Sequence, residues 1–152
     1  GMRIGWVIAQ PELLAKYNLV KQGADLQCSS MAQRQVNMYM EMYDIEKHIE
    51  KIIKVYSGRR NLMLDTMKKE FPSSVKCTNP EGGLFAWVTL PESVDASQLL
   101  KKALEQKVAF VPGEPFYPNG GNANHCRLNY SCMNEDKIVE GIKRLGKTLS
   151  SM

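Results

Sequence analysis

The residue whose type and setting most favour binding chemistry is Arg127, in the stretch Arg127-Leu128-Asn129-Tyr130-Ser131. Its surroundings are apolar and predict a strand, Cys126–Ser131. A guanidinium near a strand end offers a planar, two-pronged donor to a carboxylate. A structural ion pair is the alternative interpretation, because buried arginines are usually paired.

A second candidate is the glycine pair that precedes the strand Leu84–Leu90. Gly82 and Gly83 tolerate positive φ and carry no side chain, so backbone there can pass close to a ligand or another strand. A plain tight turn is the alternative. Phe85, early in the strand, is interpreted either as a pocket wall or as an ordinary core aromatic.

Metal and nucleic-acid chemistry are not predicted. His125, Cys126 and Cys132 fit no standard zinc spacing, and a fourth ligand is missing. The four cysteines contain no C-x-x-C pair, which favours free thiols in a reducing cytoplasm. Lysine and arginine total 20 against 16 acidic residues, but the basic residues are scattered, so no nucleic-acid face is expected.

Neither a membrane span nor a signal peptide is predicted, since no apolar run approaches the roughly 20 residues that cross a bilayer. At 152 residues the chain is long enough for one domain with a core of its own. Arg3–Ala9 predicts a buried strand at the very start. A domain rarely begins in mid-core, so we expect a further segment upstream.

Three helices are predicted before residue 71. The first runs from Pro11 to about Gln22, with Gly23 as its C-terminal cap. The second begins at Ser29 or Ser30, with a capping box between Ser30 and Gln33. Its methionines lie on more than one face, which favours a subunit or domain interface. The third, Ile45 to about Lys69, is capped by Asp44 and would be roughly 37 Å long, enough to link two bodies.

The remaining chain predicts the order β-β-α-β-β-α, an α+β fold with an open antiparallel or mixed sheet and helices on one side. Asp95 with Gln98, and Asn134 or Asp136, are the expected caps of its two helices. The predicted strands are Val75–Thr78, Leu84–Leu90, Val108–Val111 and Cys126–Ser131. The loop Phe116–Asn124, which contains Gly120-Gly121, is expected to be mobile and to close over the candidate site.

Four motifs together resemble the fold-type I pyridoxal-phosphate aminotransferases. Gly1-Met2-Arg3-Ile4-Gly5-Trp6 resembles the segment that follows their Schiff-base lysine. Pro80-Glu81-Gly82-Gly83-Leu84-Phe85-Ala86-Trp87 is similar to their P-x-G-G-x-F-x-W strand, Val108–Gly113 to their V-x-x-x-P-G loop, and Arg127–Ser131 to their R-L-N-[FY]-[SA] strand. The four motifs follow one another in the same order as in the family. Within it, the chain most resembles the branch that contains 2-aminoadipate and aromatic aminotransferases and the related MocR-type regulators.

The resemblance implies a role for each matched residue. Arg127 would bind the substrate α-carboxylate, and Gly82, Gly83 and Phe85 would line the substrate site. Asn129 would support the arginine from beside it. Arg3 would bind the phosphate of the cofactor, pyridoxal 5'-phosphate, although a solvent-facing strand end is the alternative. The substrates would be an amino acid and a 2-oxo acid, and the protein a cytoplasmic homodimer without a metal.

The resemblance also implies what this chain lacks. The family's Schiff-base lysine would lie just before Gly1, so no catalytic residue is assigned, and the chain alone is expected to be inactive. It resembles only the C-terminal part of such an enzyme, as a truncated piece or the product of a broken gene. The expected domains are 1–43, a remnant of the large cofactor-binding domain; 44–70, a linking helix; and 71–152, the small domain.

Two other functions stay open at this point. The chain is alternatively the effector-binding part of a MocR-type transcription regulator, whose DNA-binding segment would lie upstream. A bare oligomerisation module without small-molecule binding is the third hypothesis. The first two differ in sequence outside these 152 residues.

Overall fold

The computed structural model describes residues 1–151, which divide into two compact units at residue 50. The first unit contains α1 (Pro11–Ala24), α2 (Ser30–Met42) and the first turns of α3 (Ile45–Glu70). The rest of α3 belongs to the second unit. None of the helices in residues 1–151 has the length and apolar character needed to cross a membrane.

The second unit is built on a four-stranded sheet in the order β1-β2-β4-β3, with every neighbouring pair antiparallel. Its further elements are β1 (Lys76–Cys77), β2 (Phe85–Thr89), α4 (Ala96–Glu105), β3 (Val111–Pro112), a 3-10 turn (Glu114–Phe116), β4 (His125–Asn129) and α5 (Glu135–Ser150). The predicted α+β class and the order β-β-α-β-β-α are confirmed.

The core of the second unit lies against one face of this sheet. Alternate residues of β2 and β4 are buried there, because successive strand side chains point to opposite faces. They pack with residues of α3, α4 and α5, so the helices cover that face. The core consists of Met63, Met67, Val88, Leu90, Ala96, Leu99, Ala103, Phe110, Cys126, Leu128, Tyr130, Ile138, Ile142, Leu145 and Leu149.

Predicted helix caps are confirmed at three helices. The Asp95 carboxylate accepts hydrogen bonds from the backbone N–H groups of Ser97 and Gln98, at 2.7 and 3.0 Å. Asp44 and Asn134 accept backbone N–H groups at the starts of α3 and α5 in the same way. Each bond satisfies a donor that has no partner inside its helix.

The predicted strand Arg3–Ala9 is wrong, since residues 1–10 have no regular secondary structure. A strand needs a neighbour to satisfy its backbone N–H and C=O groups. None of the strands in the described chain pairs with this segment. Its apolar side chains are exposed, Trp6 at 74% and Ile8 at 91%.

The predicted cap of α1 at Gly23 is also wrong. The helix continues through Gly23 to Ala24. The left-handed residue that follows the helix is Leu26, with φ 58°. Its N–H donates to the carbonyl of Lys21 at 3.1 Å. The left-handed residue that ends the helix therefore lies three residues after Gly23, where the sequence predicts it.

The capping box at the start of α2 differs from the prediction as well. The cap is Ser29, whose hydroxyl accepts the N–H of Ala32 at 3.3 Å. Gln33 donates instead to the carbonyl of Cys28, at 3.2 Å. The apolar side chains of α2 lie exposed, and their role as an interface stays a prediction.

The strand predicted at Val108–Val111 is shorter than expected, because β3 contains only Val111 and Pro112. Val108, the first residue of the predicted strand, bonds to the end of α4 instead. Lys107 has left-handed φ 59°, and the Val108 N–H donates to the carbonyl of Ala103 at 2.9 Å. This is the Schellman arrangement, which satisfies helix carbonyls with the N–H groups that a strand would otherwise use.

Gly146 lets the backbones of α5 and α3 approach closely, which generates a prediction with a matched control in the same helix. A Cβ at Gly146 would lie 2.5 Å from the carbonyl oxygen of Glu70, whereas a Cβ at Gly141 would meet nothing within 4 Å. We expect Gly146→Ala to lower the free energy of unfolding by about 1–3 kcal/mol. Gly141→Ala should raise it by up to about 1 kcal/mol.

Urea denaturation followed by circular dichroism measures both changes. Both variants add the same methyl group to the same helix, so opposite signs isolate the contact with Glu70. Equal effects of the two substitutions would contradict the close packing of α5 on the end of α3.

The four thiols are predicted to differ in reactivity. Burial raises the pKa of Cys126 to about 12, and only 1% of its surface is exposed, whereas Cys132 is exposed. A thiolate is the reactive form, so Cys126 should resist alkylation until the protein unfolds. Iodoacetamide labelling followed by peptide mass mapping should find Cys132 labelled in the native protein and Cys126 only in denaturant. Native labelling of Cys126 at the rate of Cys132 would disprove this.

Candidate functional site

The sheet face opposite the core brings the candidate residues of β2 and β4 together. Phe85 pairs with Asn129, and Trp87 pairs with Arg127, in the antiparallel register. Directly paired residues point to the same face, so these side chains share the surface that the helices leave open. The register therefore places the predicted arginine, aromatic and amide side chains next to one another.

The guanidinium of Arg127 contacts two aromatic rings. Its central carbon is 4.1 Å from the ring centroid of Phe85 and 4.7 Å from that of Phe116. Both distances are well inside the range of a cation–π contact. Phe116, the first residue of the loop that the sequence predicts to close over the site, provides the second ring from the segment after β3.

The Nε–H of Arg127 is buried and has no hydrogen-bond partner among residues 1–151. In the same part of the chain, five salt bridges form and none includes Arg127. A buried donor without an acceptor costs roughly 1–3 kcal/mol. Among residues 1–151 no hydrogen bond is recorded for the two Nη groups either, and these, unlike the buried Nε–H, are the donors that a carboxylate reaches from solvent.

Gly113 determines how closely the segment before Phe116 approaches β4. Its N–H donates to the carbonyl of His125 at 2.7 Å. A Cβ at this position would stand 2.7 Å from the Cβ of His125, so glycine is the residue that fits. The 3-10 turn that follows then carries the Phe116 ring to the guanidinium.

Trp87 supports the same segment from β2. Its ring lies edge-on to Phe116, with centroids 5.6 Å apart and planes at 82°. His125 stacks on Trp87 at 6.0 Å, and Tyr117 lies 6.2 Å from Trp87. Two features of the sequence indicate this aromatic cluster. The pair Phe116-Tyr117 follows Val111-Pro112-Gly113, and the alternation of side chains along β2 places Trp87 on the same face as Phe85.

The glycine turn leaves room at one end of the site. Gly83 has φ +85°, as expected for a glycine turn, and a Cβ on Gly82 or Gly83 would meet nothing within 4 Å. The carbonyl of Gly82 accepts the hydroxyl of Tyr130 at 3.1 Å. Burial raises the pKa of Tyr130, so its phenol stays protonated and remains a donor.

Asn129 is occupied with the turn that follows β4. Its Oδ1 accepts the Ser131 N–H at 2.7 Å, the Ser131 hydroxyl at 2.9 Å and the Cys132 N–H at 3.1 Å. These are the bonds of an Asx turn. Asn129 thus shapes the backbone next to Arg127, on the same sheet face.

Two consecutive arginines of α3 hold this end of the sheet. Arg59 donates to the carbonyl of Ser131 at 3.0 Å and pairs with Glu135 at 3.0 Å. Arg60 donates to the carbonyl of Pro80 at 2.9 Å. The loops before β2 and after β4 are therefore fastened to the same helix.

Arg3, the predicted phosphate ligand, belongs to the first unit. It is exposed and has φ 58°, and its side chain makes no hydrogen bond or salt bridge that the structure of residues 1–151 records. A guanidinium in this state has its donors free for an anion. Its role toward a phosphate stays a prediction.

His125 and Cys126 are neighbours on β4 and so point to opposite sheet faces. Across residues 1–151, no three His, Cys, Asp or Glu side chains form a group that could hold a metal ion. A cavity of about 970 Å³ lies along α5 and the segment Val108–Ala109, and Leu128 and Asn129 of β4 also line it. Arg127 does not line it.

Comparisons with known proteins agree with the sequence resemblance. The family model "Aminotransferase class I and II" matches residues 1–145. The chain is 44% identical to aromatic-amino-acid aminotransferase 1 of Thermococcus litoralis, over 98% of the chain and 36% of the relative. It is 38% identical to the 2-aminoadipate transaminase of Thermus thermophilus, over 100% of the chain and 38% of the relative.

Solved structures and more distant relatives complete the comparison. The kynurenine aminotransferase of Pyrococcus horikoshii, in complex with PMP, superposes with a TM-score of 0.87 at 42% identity, over 99% of this chain and 37% of that one. The helix-turn-helix-type transcriptional regulator YdfD of Bacillus subtilis is 25% identical, over 100% of the chain and 31% of the regulator. The chain thus spans about a third of the length of these proteins. Because the family match extends over nearly all its residues, the chain belongs to the aminotransferase class I and II family.

Proposed function

We propose that this chain is the C-terminal portion of a pyridoxal-phosphate-dependent aminotransferase, in which Arg127 binds a carboxylate of the amino acid or 2-oxo acid. The observation that carries the proposal is the guanidinium of Arg127, which two aromatic rings contact and which pairs with no acidic side chain among residues 1–151. A carboxylate satisfies such a donor through charge-assisted, two-pronged hydrogen bonds. Family membership supports the same reaction class.

The neighbouring residues have distinct parts in this proposal. The turn at Gly82 and Gly83 is open, because a Cβ at either position would meet no other atom within 4 Å. A substrate can therefore approach the backbone there. Phe85 covers one face of the guanidinium. Asn129 shapes the turn at Ser131 and acts on the substrate only through the position of the strand end.

The proposed cofactor is pyridoxal 5'-phosphate, which supplies an electron sink for amino-group transfer when it is bound. The chemistry of Arg3 fits its phosphate, because an exposed guanidinium without another partner binds phosphate well. No lysine in the sequence stands in the context of the family's tethering lysine. We therefore propose carboxylate binding at Arg127 and no catalysis for this chain alone, and we assign cofactor binding to the full-length protein.

The domain assignment extends the same proposal. Residues 1–43 form part of the large cofactor-binding domain, 44–70 the linking helix and 71–152 the small domain. The exposed apolar side chains of α1 and α2 support an interface role for the first segment. The whole protein is proposed to be a cytoplasmic homodimer.

A transcription regulator of the MocR type is the second candidate. Regulators with a helix-turn-helix segment match this chain over nearly its whole length, at 23% to 26% identity. The enzymes match at 37% to 44%. The higher identity favours the enzyme.

Carboxylate binding by Arg127 is tested with 2-oxoglutarate, a 2-oxo acid. Trp6→Phe leaves Trp87 as the single tryptophan, and Trp87 is paired with Arg127 in the sheet, so its fluorescence should report binding. In this background, Arg127→Gln should weaken the affinity at least about tenfold, since it removes a charge-assisted pair. Arg127→Lys should weaken it less, because the charge remains while the two-pronged geometry is lost.

The matched control is Arg144→Gln, which removes an arginine that is already paired with Glu140 on α5. It should leave the affinity for 2-oxoglutarate unchanged. Equal affinity in the Arg127→Gln variant and its parent would refute the proposed role of Arg127.

A second experiment tests the expectation that this chain has no cofactor-tethering lysine. The purified chain is incubated with pyridoxal phosphate, reduced with borohydride, and analysed by intact mass and peptide mapping. We expect no stoichiometric adduct at a single site, because none of its lysines has the required setting. Full and specific labelling of one lysine would show that the chain forms a cofactor site of its own.

A further inference from the structure

We propose that Phe116 is a positioning residue for Arg127: together with Phe85, its ring holds the plane of the guanidinium so that the N–H edge stays free for a carboxylate. The inference rests on the proposed function for the identity of the ligand. The holding of the guanidinium itself is independent of any ligand and is tested separately.

The two contacts and a carboxylate use different parts of the guanidinium. An aromatic ring attracts the cation through its face, and the rings of Phe85 and Phe116 lie 4.1 and 4.7 Å from the central carbon. The N–H donors lie in the plane of the group and point outward from its edge. Aromatic contacts therefore restrict the orientation of Arg127 without occupying a donor.

Other arginines of this unit are held in the ordinary way, which occupies their donors. Arg59 is bound by Glu135 at 3.0 Å and Arg144 by Glu140 at 2.7 Å. Arg127 has no salt bridge in the described part of the chain, and its buried Nε–H stays unpartnered. Holding a cation by rings alone keeps its hydrogen-bonding capacity for an incoming anion.

Other residues of the chain hold the Phe116 ring in place, so the ring can support the guanidinium of Arg127. Gly113 brings the segment onto β4 through the 2.7 Å bond to the His125 carbonyl. Trp87 contacts the Phe116 ring edge-on at 5.6 Å. Phe116 is nevertheless 48% exposed, so burial in the core does not explain the position of this large apolar ring. Its contacts with Trp87 and Arg127 do.

The experiment compares Phe116→Leu with Phe116→Tyr in the full chain. The Nε–H signal of Arg127 is observed by ¹H–¹⁵N NMR and identified by its loss in Arg127→Lys. Stacked rings shift this proton upfield, so Phe116→Leu should move the signal toward that of an exposed arginine, and Phe116→Tyr should restore it. The affinity for 2-oxoglutarate should fall about three- to tenfold in the leucine variant and recover in the tyrosine variant.

Phe71→Leu is the control, because Phe71 is a half-buried ring that packs on the core and makes no cation–π contact with Arg127. It should leave the Arg127 signal in place. An unchanged Arg127 signal or an unchanged affinity in a folded Phe116→Leu variant would overturn the proposal. If the signal moves as expected but no variant binds 2-oxoglutarate, the positioning of the guanidinium is supported and the proposed carboxylate role of Arg127 fails.

Discussion

The antiparallel pairing of β2 with β4 is the constraint on which the rest of the second unit depends. Its register puts Val88 opposite Cys126 on the core face and Trp87 opposite Arg127 on the other. A slip of one residue would exchange these faces, because side chains alternate along a strand. The helices would then cover the arginine, and the apolar residues would face outward. Core packing and the candidate site are therefore specified by one set of backbone hydrogen bonds.

Much of the fold was predictable because local signals and the tertiary structure agree. The caps at Asp44, Asp95 and Asn134 lie where a short polar side chain precedes an apolar periodic segment, and the helices begin there. Predictions failed where the outcome depended on a partner. The segment Arg3–Ala9 has strand composition but no neighbouring strand in the described residues. Val108 is apolar, yet its N–H is committed to the end of α4.

The residues of the candidate site are predictable from sequence only where they belong to a motif of consecutive residues. Arg127, Phe85 and the glycine pair were found from motifs within single strands or turns, and the structure brings Phe85 and Arg127 into contact. The sequence predicts that the loop starting at Phe116 closes over the site, but it does not predict the contact of Phe116 with Arg127, because that contact depends on a loop path that starts at Gly113. Asn129 is polar and next to the arginine, but its oxygen serves the turn at Ser131. The type of a residue shows which groups its side chain can bind, and the path of the backbone decides which of those groups it meets.

The chemistry of this site separates recognition from reaction. A guanidinium that two rings contact can bind and orient an anion, but it acts neither as a nucleophile nor as a base. Amino-group transfer further requires a nucleophile and a base. The proposed role of Arg127 is accordingly to hold and orient a carboxylate, and the rings of Phe85 and Phe116 contact its guanidinium without acting as nucleophile or base.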